Sequence, residues 1–150
     1  MKLVIQRVSQ AAVTINNIEK AAIQQGYLIL LGITHDDTQE DIDWLCNKIS
    51  GLRIFSDAQG AMNLSIQDVD GQVLVISQFT LYASTKKGNR PSFLEAAKPD
   101  KAIPLYEYFL KTLSRKLNKP IQSGTFGADM KVSLVNDGPV TIIMDSKDKH

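Results

Sequence analysis

Cysteine occurs once in the 150 residues, at Cys46, so no intrachain disulfide can form and a reducing cytoplasm is the expected compartment. Histidine occurs only at His35 and His150, which leaves little material for a Ser/His/Asp triad or a histidine metal site. No apolar run approaches the ~20 residues that span a bilayer. The longest candidate is 27–33 (YLILLGI), and the N-terminal MKLVIQRVSQ alternates apolar and polar rather than forming a signal core, so no membrane role is expected. An excess of one charge is also missing: 17 Lys plus Arg face 16 acidic residues, a formal net charge of +1. Any contact with a polyanion must therefore come from a local basic patch.

What is present is an ordinary soluble composition, 43% hydrophobic and 22% charged, at a length suited to one domain over 1–150. Strand signals fill the first third. Residues 2–8 alternate, 11–15 follow, Asn16-Asn17 supplies a turn, and 27–33 reads as a strand buried on both faces. Over 38–50 the period changes, with Ile42, Leu45, Cys46 and Ile49 on one helical stripe, acidic residues early and Gly51 just beyond. The SDAQG segment reads as a turn, and the apolar run 73–82 as a central strand. A second helix is predicted from Pro104 through Leu117, closed by Pro120. Two last strands, 130–135 and 140–144, flank an Asn136-Asp137-Gly138-Pro139 connection, and the SKDKH tail is polar enough to fray. The expected fold is a sheet-rich α+β domain with two principal helices, its sheet able to curl into a barrel.

Elimination removes the familiar catalytic sets. His35 sits in the polar THDDT loop as a solvent-facing residue, and its acidic neighbours lack a second half at metal-ligand spacing, so no metal is predicted. Cys46 falls on the apolar helix stripe, where an inert buried thiol is expected. Neither Gly-rich stretch matches GxGxxG or the P-loop pattern. Two places remain. At Ser77-Gln78-Phe79-Thr80, hydroxyls, an amide and backbone N–H groups can converge on a developing oxyanion, or the hydroxyls simply alternate along a strand. Gly138-Pro139 permits a cis bond in a tight turn, or is an ordinary connector.

The segments MKLVIQRV, GLRIF, SDAQGAMNLS, VLVISQFTLYA, KKGNRPSF, GADM and VSLVNDGPVT stand in the order typical of D-aminoacyl-tRNA deacylases, which the chain resembles over almost its whole length. SQFTL with NDGPVT at this separation is the specific part. Thr125 and Ser84 depart from the pattern, where arginine and aspartate are expected, and bear on local tRNA contacts. The resemblance implies a β-barrel-like α+β homodimer with active sites at the subunit interface. It implies hydrolysis of the ester between a D-amino acid and the terminal adenosine of tRNA, without a cofactor.

Carried onto this chain, the resemblance makes Ser77, Gln78, Phe79 and Thr80 the catalytic segment, and Phe126 and Met130 the apolar walls near the adenosine. Gly138 and Pro139, in cis and offered by one subunit to the other's pocket, would exclude an L side chain with their main-chain carbonyls, braced by Arg7; otherwise Arg7 is a surface residue of the first strand. Lys86, Lys87 and Arg90 would hold tRNA phosphates, or form a merely solvated loop. With no credible base beside Thr80, the substrate's 2′-hydroxyl is the expected assistant, and covalent catalysis by Thr80 the alternative. Two competing functions are a non-catalytic nucleic-acid-binding module, which leaves SQFT and Gly-Pro unexplained, and a hydrolase of free D-amino acid esters or peptides, for which the chain lacks a triad or metal site.

Overall fold

A computed structural model describes residues 1–149; the terminal His150 lies outside the described residues. The element order is β1 (Lys2–Ile15), β2 (Ile18–Ile23), β3 (Gly26–Gly32), α1 (Gln39–Gly51), β4 (Phe55–Ser56), β5 (Met62–Leu64), β6 (Gln72–Ser77), a 3-10 turn (Phe79–Tyr82), α2 (Pro99–Leu117), β7 (Gln122–Ser123) and β8 (Lys131–Asp145). The main sheet runs β2-β1-β3-β6-β7, with β8 on the other edge of β1, and β4-β5 forms a separate ribbon. Although β2 and β7 end the sheet order, β2 approaches both β6 and β7, so the sheet curls on itself. The fold is α+β, sheet-rich and barrel-like, with two principal helices.

Two apolar layers explain the strand patterns. Tyr27, Ile29 and Leu31 of β3 and Val73 and Val75 of β6 face the helices, where Ile42, Leu45 and Ile49 of α1 meet Phe109, Leu113 and Leu117 of α2. Leu28 of β3 and Leu74 and Ile76 of β6 face the interior of the curl, with Val8, Val13 and Ile23. Both faces of β3 and β6 are covered, so neither alternates in sequence. Asn16 and Asn17 turn β1 into β2 with φ of 52° and 62°, the left-handed pair that a two-residue hairpin turn requires.

Four boundaries differ from expectation. The segments 2–8 and 11–15 are one strand, β1, carrying bulges along its β8 edge. The run 73–82 pairs as a strand only to Ser77 and then tightens into the 3-10 turn. It folds back on β3 because Gly32 has no side chain: a Cβ there would lie 2.9 Å from Leu81 Cβ. The second helix starts at Pro99, its N1 residue, and Pro104 lies inside it on an exposed face. There the carbonyl that loses its N–H partner can turn to water. Gly51, placed just beyond α1, is its last residue.

The largest difference concerns Gly138-Pro139, which does not connect two strands. Both flanks belong to β8 and both pair antiparallel with β1: Thr141 opposite Gln6, and Asn136 opposite Val8. Residues 137–140 therefore stand against Arg7 alone and leave the ladder as a bulge. The Gly138–Pro139 peptide is cis.

The start of α1 is fixed by charge. Asp41, three residues into the helix, accepts the N-cap Thr38 amide at 2.8 Å and the Lys147 ammonium at 2.9 Å. Burial alone would raise its carboxyl, yet hydrogen bonds from Ser146, Lys147 and the Thr38 amide, with the Lys147 charge, hold it well below the usual carboxylate range. A depressed folded value means that the stabilisation is complete above the unfolded value of about 4 and is lost as pH falls below it. Asp41→Ala is expected to cost about 1.5–3 kcal/mol at pH 7. Urea unfolding at pH 7 and pH 3 should find the gap to wild type narrower at the lower pH.

Candidate active site

The parallel strands β3 and β6 end side by side, and at their carboxyl ends a cleft of about 300 Å³ opens between the two apolar layers. Leu31 and Ile33 supply one wall, Ile76, Met130 and Val132 another, and Ala97 and Ala102 close it from the α2 side. Ser77, Gln78 and Phe79 line its polar edge. Gln78 N–H still donates to Leu31 O at 2.8 Å, the last step of strand pairing, after which the chain turns. The first hydrogen bond of the turn runs from Leu81 N–H to Gln78 O at 3.2 Å. The amides of Phe79 and Thr80 precede it, as the leading N–H groups of any helical turn do.

Thr80 is not among the cleft-lining residues. Its Oγ1 accepts from Gln78 Nε2 at 2.5 Å, so the amide side chain fixes the hydroxyl instead of a base activating it. Asp129 is the one titratable side chain lining the cleft among the described residues, and it is paired with Lys131 at 3.0 Å. His35 lies outside: its Nε2 meets Leu94 O at 2.9 Å and ties the loop before α1 to the segment before α2. Cys46 is fully buried, and burial pushes its thiol up to about 12, which leaves it un-ionised and inert at neutral pH. Among the described residues no three His, Cys, Asp or Glu side chains group as metal ligands, and no helix is long and apolar enough to cross a membrane.

The structure thus brings Ser77, Gln78, Phe79, Phe126 and Met130 to one cleft. Phe126 is held by Tyr106, ring centroids 5.8 Å apart. Met130 reaches the cleft because Gly124 leaves it room: a Cβ on Gly124 would fall 2.4 Å from the thioether sulfur. Lys86, Lys87 and Arg90 are exposed on a hairpin closed by Ser84 and Ser92, whose amides exchange hydrogen bonds of 2.7 and 2.9 Å. Ser84 serves there through its backbone, and Thr125 is exposed beside Phe126.

Gly138, Pro139 and Arg7 are placed elsewhere and do not line this cleft. Arg7 donates through Nε to Asp137 O at 2.8 Å and through Nη1 to Ile54 O at 2.6 Å, joining the β8 bulge to the segment after α1. Asn136 Oδ1 accepts Val140 N–H at 2.8 Å, closing the bulge at its base. Gly138 has φ of +149°, and a Cβ on it would fall 2.7 Å from Val140 Cγ2 and 3.1 Å from Arg7 Nη2. Its position is closed to side chains by backbone conformation and by space. Sequence reasoning missed Ala97, Ala102 and Val132 as cleft residues; small or apolar side chains carry no signal of a site.

A family described as D-Tyr-tRNA(Tyr) deacylase matches residues 4–145. The chain belongs to that family. A D-aminoacyl-tRNA deacylase of Bacteroides thetaiotaomicron is 64% identical over 150 residues, and one of Flavobacterium johnsoniae 62% identical, with 100% of both chains covered in each case. Among solved structures, one described as a c-Myc DNA unwinding element binding protein superposes with a TM-score of 0.91 at 40% identity, covering 97% of this chain and 98% of its own. A probable eukaryotic D-amino acid tRNA deacylase superposes at 0.82 with 18% identity, over 95% and 97% of the two chains, which is a likeness of fold.

The packing of Met130 on Gly124 generates a direct test. Gly124→Ala is expected to push the flexible thioether out into the cleft while costing no more than about 1–3 kcal/mol in stability. A shifted Met130 methyl resonance with a cooperative urea transition would show it; an unmoved methyl would place the room elsewhere.

Proposed function

We propose that the protein hydrolyses the ester of D-aminoacyl-tRNA, releasing D-amino acid and tRNA, and so removes mischarged tRNA. The observation that carries this reading is the cleft in which Ser77, Gln78, Phe79, Phe126 and Met130 come together, in a chain with full-length deacylase relatives. The Phe79 and Thr80 amides bind the ester carbonyl and stabilise the oxyanion as water attacks. Phe126 and Met130 flank the adenosine. Lys86, Lys87 and Arg90 engage phosphates without reading sequence. The substrate's own 2′-hydroxyl assists the attack, because the partner of Thr80 Oγ1 among the described residues is the Gln78 amide nitrogen, which cannot accept its proton.

The β8 bulge supplies selection in this reading. Since Gly138 and Pro139 are exposed and away from the cleft of their own chain, they act on the cleft of a second copy in a homodimer. There their carbonyls exclude an L side chain without recognising a D one. Arg7 holds the segment through Asp137 O. A second reading, a nucleic-acid-binding module without catalysis, draws on the description of the 40% identical structure as a DNA-element binding protein.

Release of labelled amino acid from D- and L-aminoacyl-tRNA separates the two. Deacylation of the D-ester alone is expected; no release would favour the binding module. Thr80→Ala should keep kcat within about tenfold, whereas an ester on a terminal 2′-deoxyadenosine should lose on the order of 10²–10⁴, the worth of a positioned proton-transfer group. A trapped acyl-Thr80 species would overturn substrate assistance.

Exclusion makes a second prediction. Glycine has no side chain to reject, so glycyl-tRNA should be deacylated while L-alanyl-tRNA survives. A yielding apolar pocket separates substrates that differ by one methylene only by about 1–3 kcal/mol; backbone carbonyls in a segment that Arg7 anchors through Asp137 O should exceed that. Rates for glycyl-, D-alanyl- and L-alanyl-tRNA measure it, and inertness toward the glycyl ester would show that the pocket demands a D side chain.

A further inference from the structure

Large aromatic side chains are normally withdrawn from water, yet Phe79 is 56% exposed and Phe93 37%, and the two rings meet edge to face, centroids 5.1 Å apart and planes at 73°. Phe79 lines the cleft and Phe93 does not, so the pair leads from the rim onto the neighbouring strap. That strap is tied down. Thr34 Oγ1 donates to Glu95 O at 2.5 Å, His35 Nε2 meets Leu94 O at 2.9 Å, and Ala97 N–H donates to Ile33 O at 2.9 Å. Phe93 also follows directly on the hairpin that carries Lys86, Lys87 and Arg90, whose closing residue is Ser92.

A cleft of about 300 Å³ is at the small end of ligand sites, too small to take any nucleotide beyond the terminal esterified one. The preceding nucleotide must leave across the rim. Exposed aromatic faces beside cations are the combination that holds unpaired nucleotides, the rings stacking on a base while the cations meet phosphate.

We propose that Phe79 and Phe93 form a stacking platform for the cytidine that precedes the terminal adenosine of the tRNA 3′ end. The proposal rests on the deacylase reading for its substrate and adds a second nucleotide site to it. His35 and Thr34 are positioning residues for that site, acting through the carbonyls of Leu94 and Glu95. Neither the amino acid nor the terminal adenosine touches Phe93 in this arrangement.

The test compares D-tyrosyl esters of adenosine and of the dinucleotide CpA. Wild type should show a kcat/KM higher by about 5- to 150-fold on the dinucleotide, the range given by one base–aromatic stack. Phe93→Ala and Phe93→Leu should lose that gain while hydrolysing the adenosine ester unchanged, and Phe93→Tyr should keep it. Leucine preserves apolar bulk, so loss of the gain in both variants cannot be ascribed to misfolding. An equal gain in wild type and Phe93→Leu, or none in wild type, overturns the platform. So does a Phe93→Asp variant that turns a dimer into a monomer by sedimentation without changing the gain, which would give the surface to a second copy of the chain. Binding of unesterified CpA and adenosine isolates the platform from the reaction: tighter CpA supports it even if no ester is cleaved, and equal affinities overturn it even if D-esters are.

Discussion

The backbone pairing of β1 with β8 constrains most of the molecule. β1 carries β3 along one edge in its first half and β2 in its second, while β8 follows its other edge from Lys2 to Thr14. One strand therefore serves both apolar layers. Leu3 and Ile5 point to the helices, and Val8, Ala11 and Val13 to the interior of the curl. Strict alternation could not put Val8 and Ala11 on the same side. The register shift between Val8 and Gln10 does so, by placing two residues of β1 against one of β8. A slip of one residue would expose both sets at once, so the pairing is held by burial on two fronts.

The same constraint generates the exposed segment of β8. Its halves are locked in register on β1 at Thr141 and Asn136, and the residues between have only Arg7 opposite them. They cannot pair, so they bulge, and Arg7 satisfies one freed carbonyl. Gly138 is needed there because both its φ and its crowding exclude a side chain. The geometry that the proposed gate requires is thus a by-product of sheet register with one arginine as its brace, not of a flexible loop.

What could be read from the sequence follows from how local each signal is. The helix α1 was legible because Thr38, Asp41 and the Ile42, Leu45, Cys46, Ile49 stripe lie within a few turns of one another. β3 was legible as a strand covered twice, since its whole length is apolar. The end of β6 was not. Phe79, Leu81 and Tyr82 continue the apolar run, and what ends the strand is the space over Gly32, some fifty residues earlier in the chain. Nor was the continuity of β8, because Asn-Asp-Gly-Pro is good turn chemistry and only the partner strand forbids a hairpin. Pro104 misled for a related reason: Pro99 holds the N1 place, and the cost of a second proline falls on an exposed face. Of the residues named through the motifs, Ser77, Gln78, Phe79, Phe126 and Met130 line one cleft and Thr80, Gly138, Pro139 and Arg7 do not, while its small apolar walls, Ala97, Ala102 and Val132, carry no motif.

Selectivity in the proposed reaction depends on where the bulge and the cleft lie within one chain. Arg7 pairs with Tyr27 near the start of β3, whereas the cleft is built on Leu31 and beyond, about 13 Å further along the strand. On β8, Val132 lines the cleft and Gly138 sits about 20 Å away along the chain. A rigid sheet separates the two, so no side-chain rearrangement can bring a chain's own Gly138 to its own cleft. If the carbonyls of that segment exclude L side chains, rejection and catalysis reside in different copies, and the ester bond meets its filter only when two chains are associated. Catalytic groups and oxyanion donors would remain complete in each chain. Discrimination would then weaken on dissociation before the chemistry did, because backbone amides at the end of β6 need no partner to keep their direction.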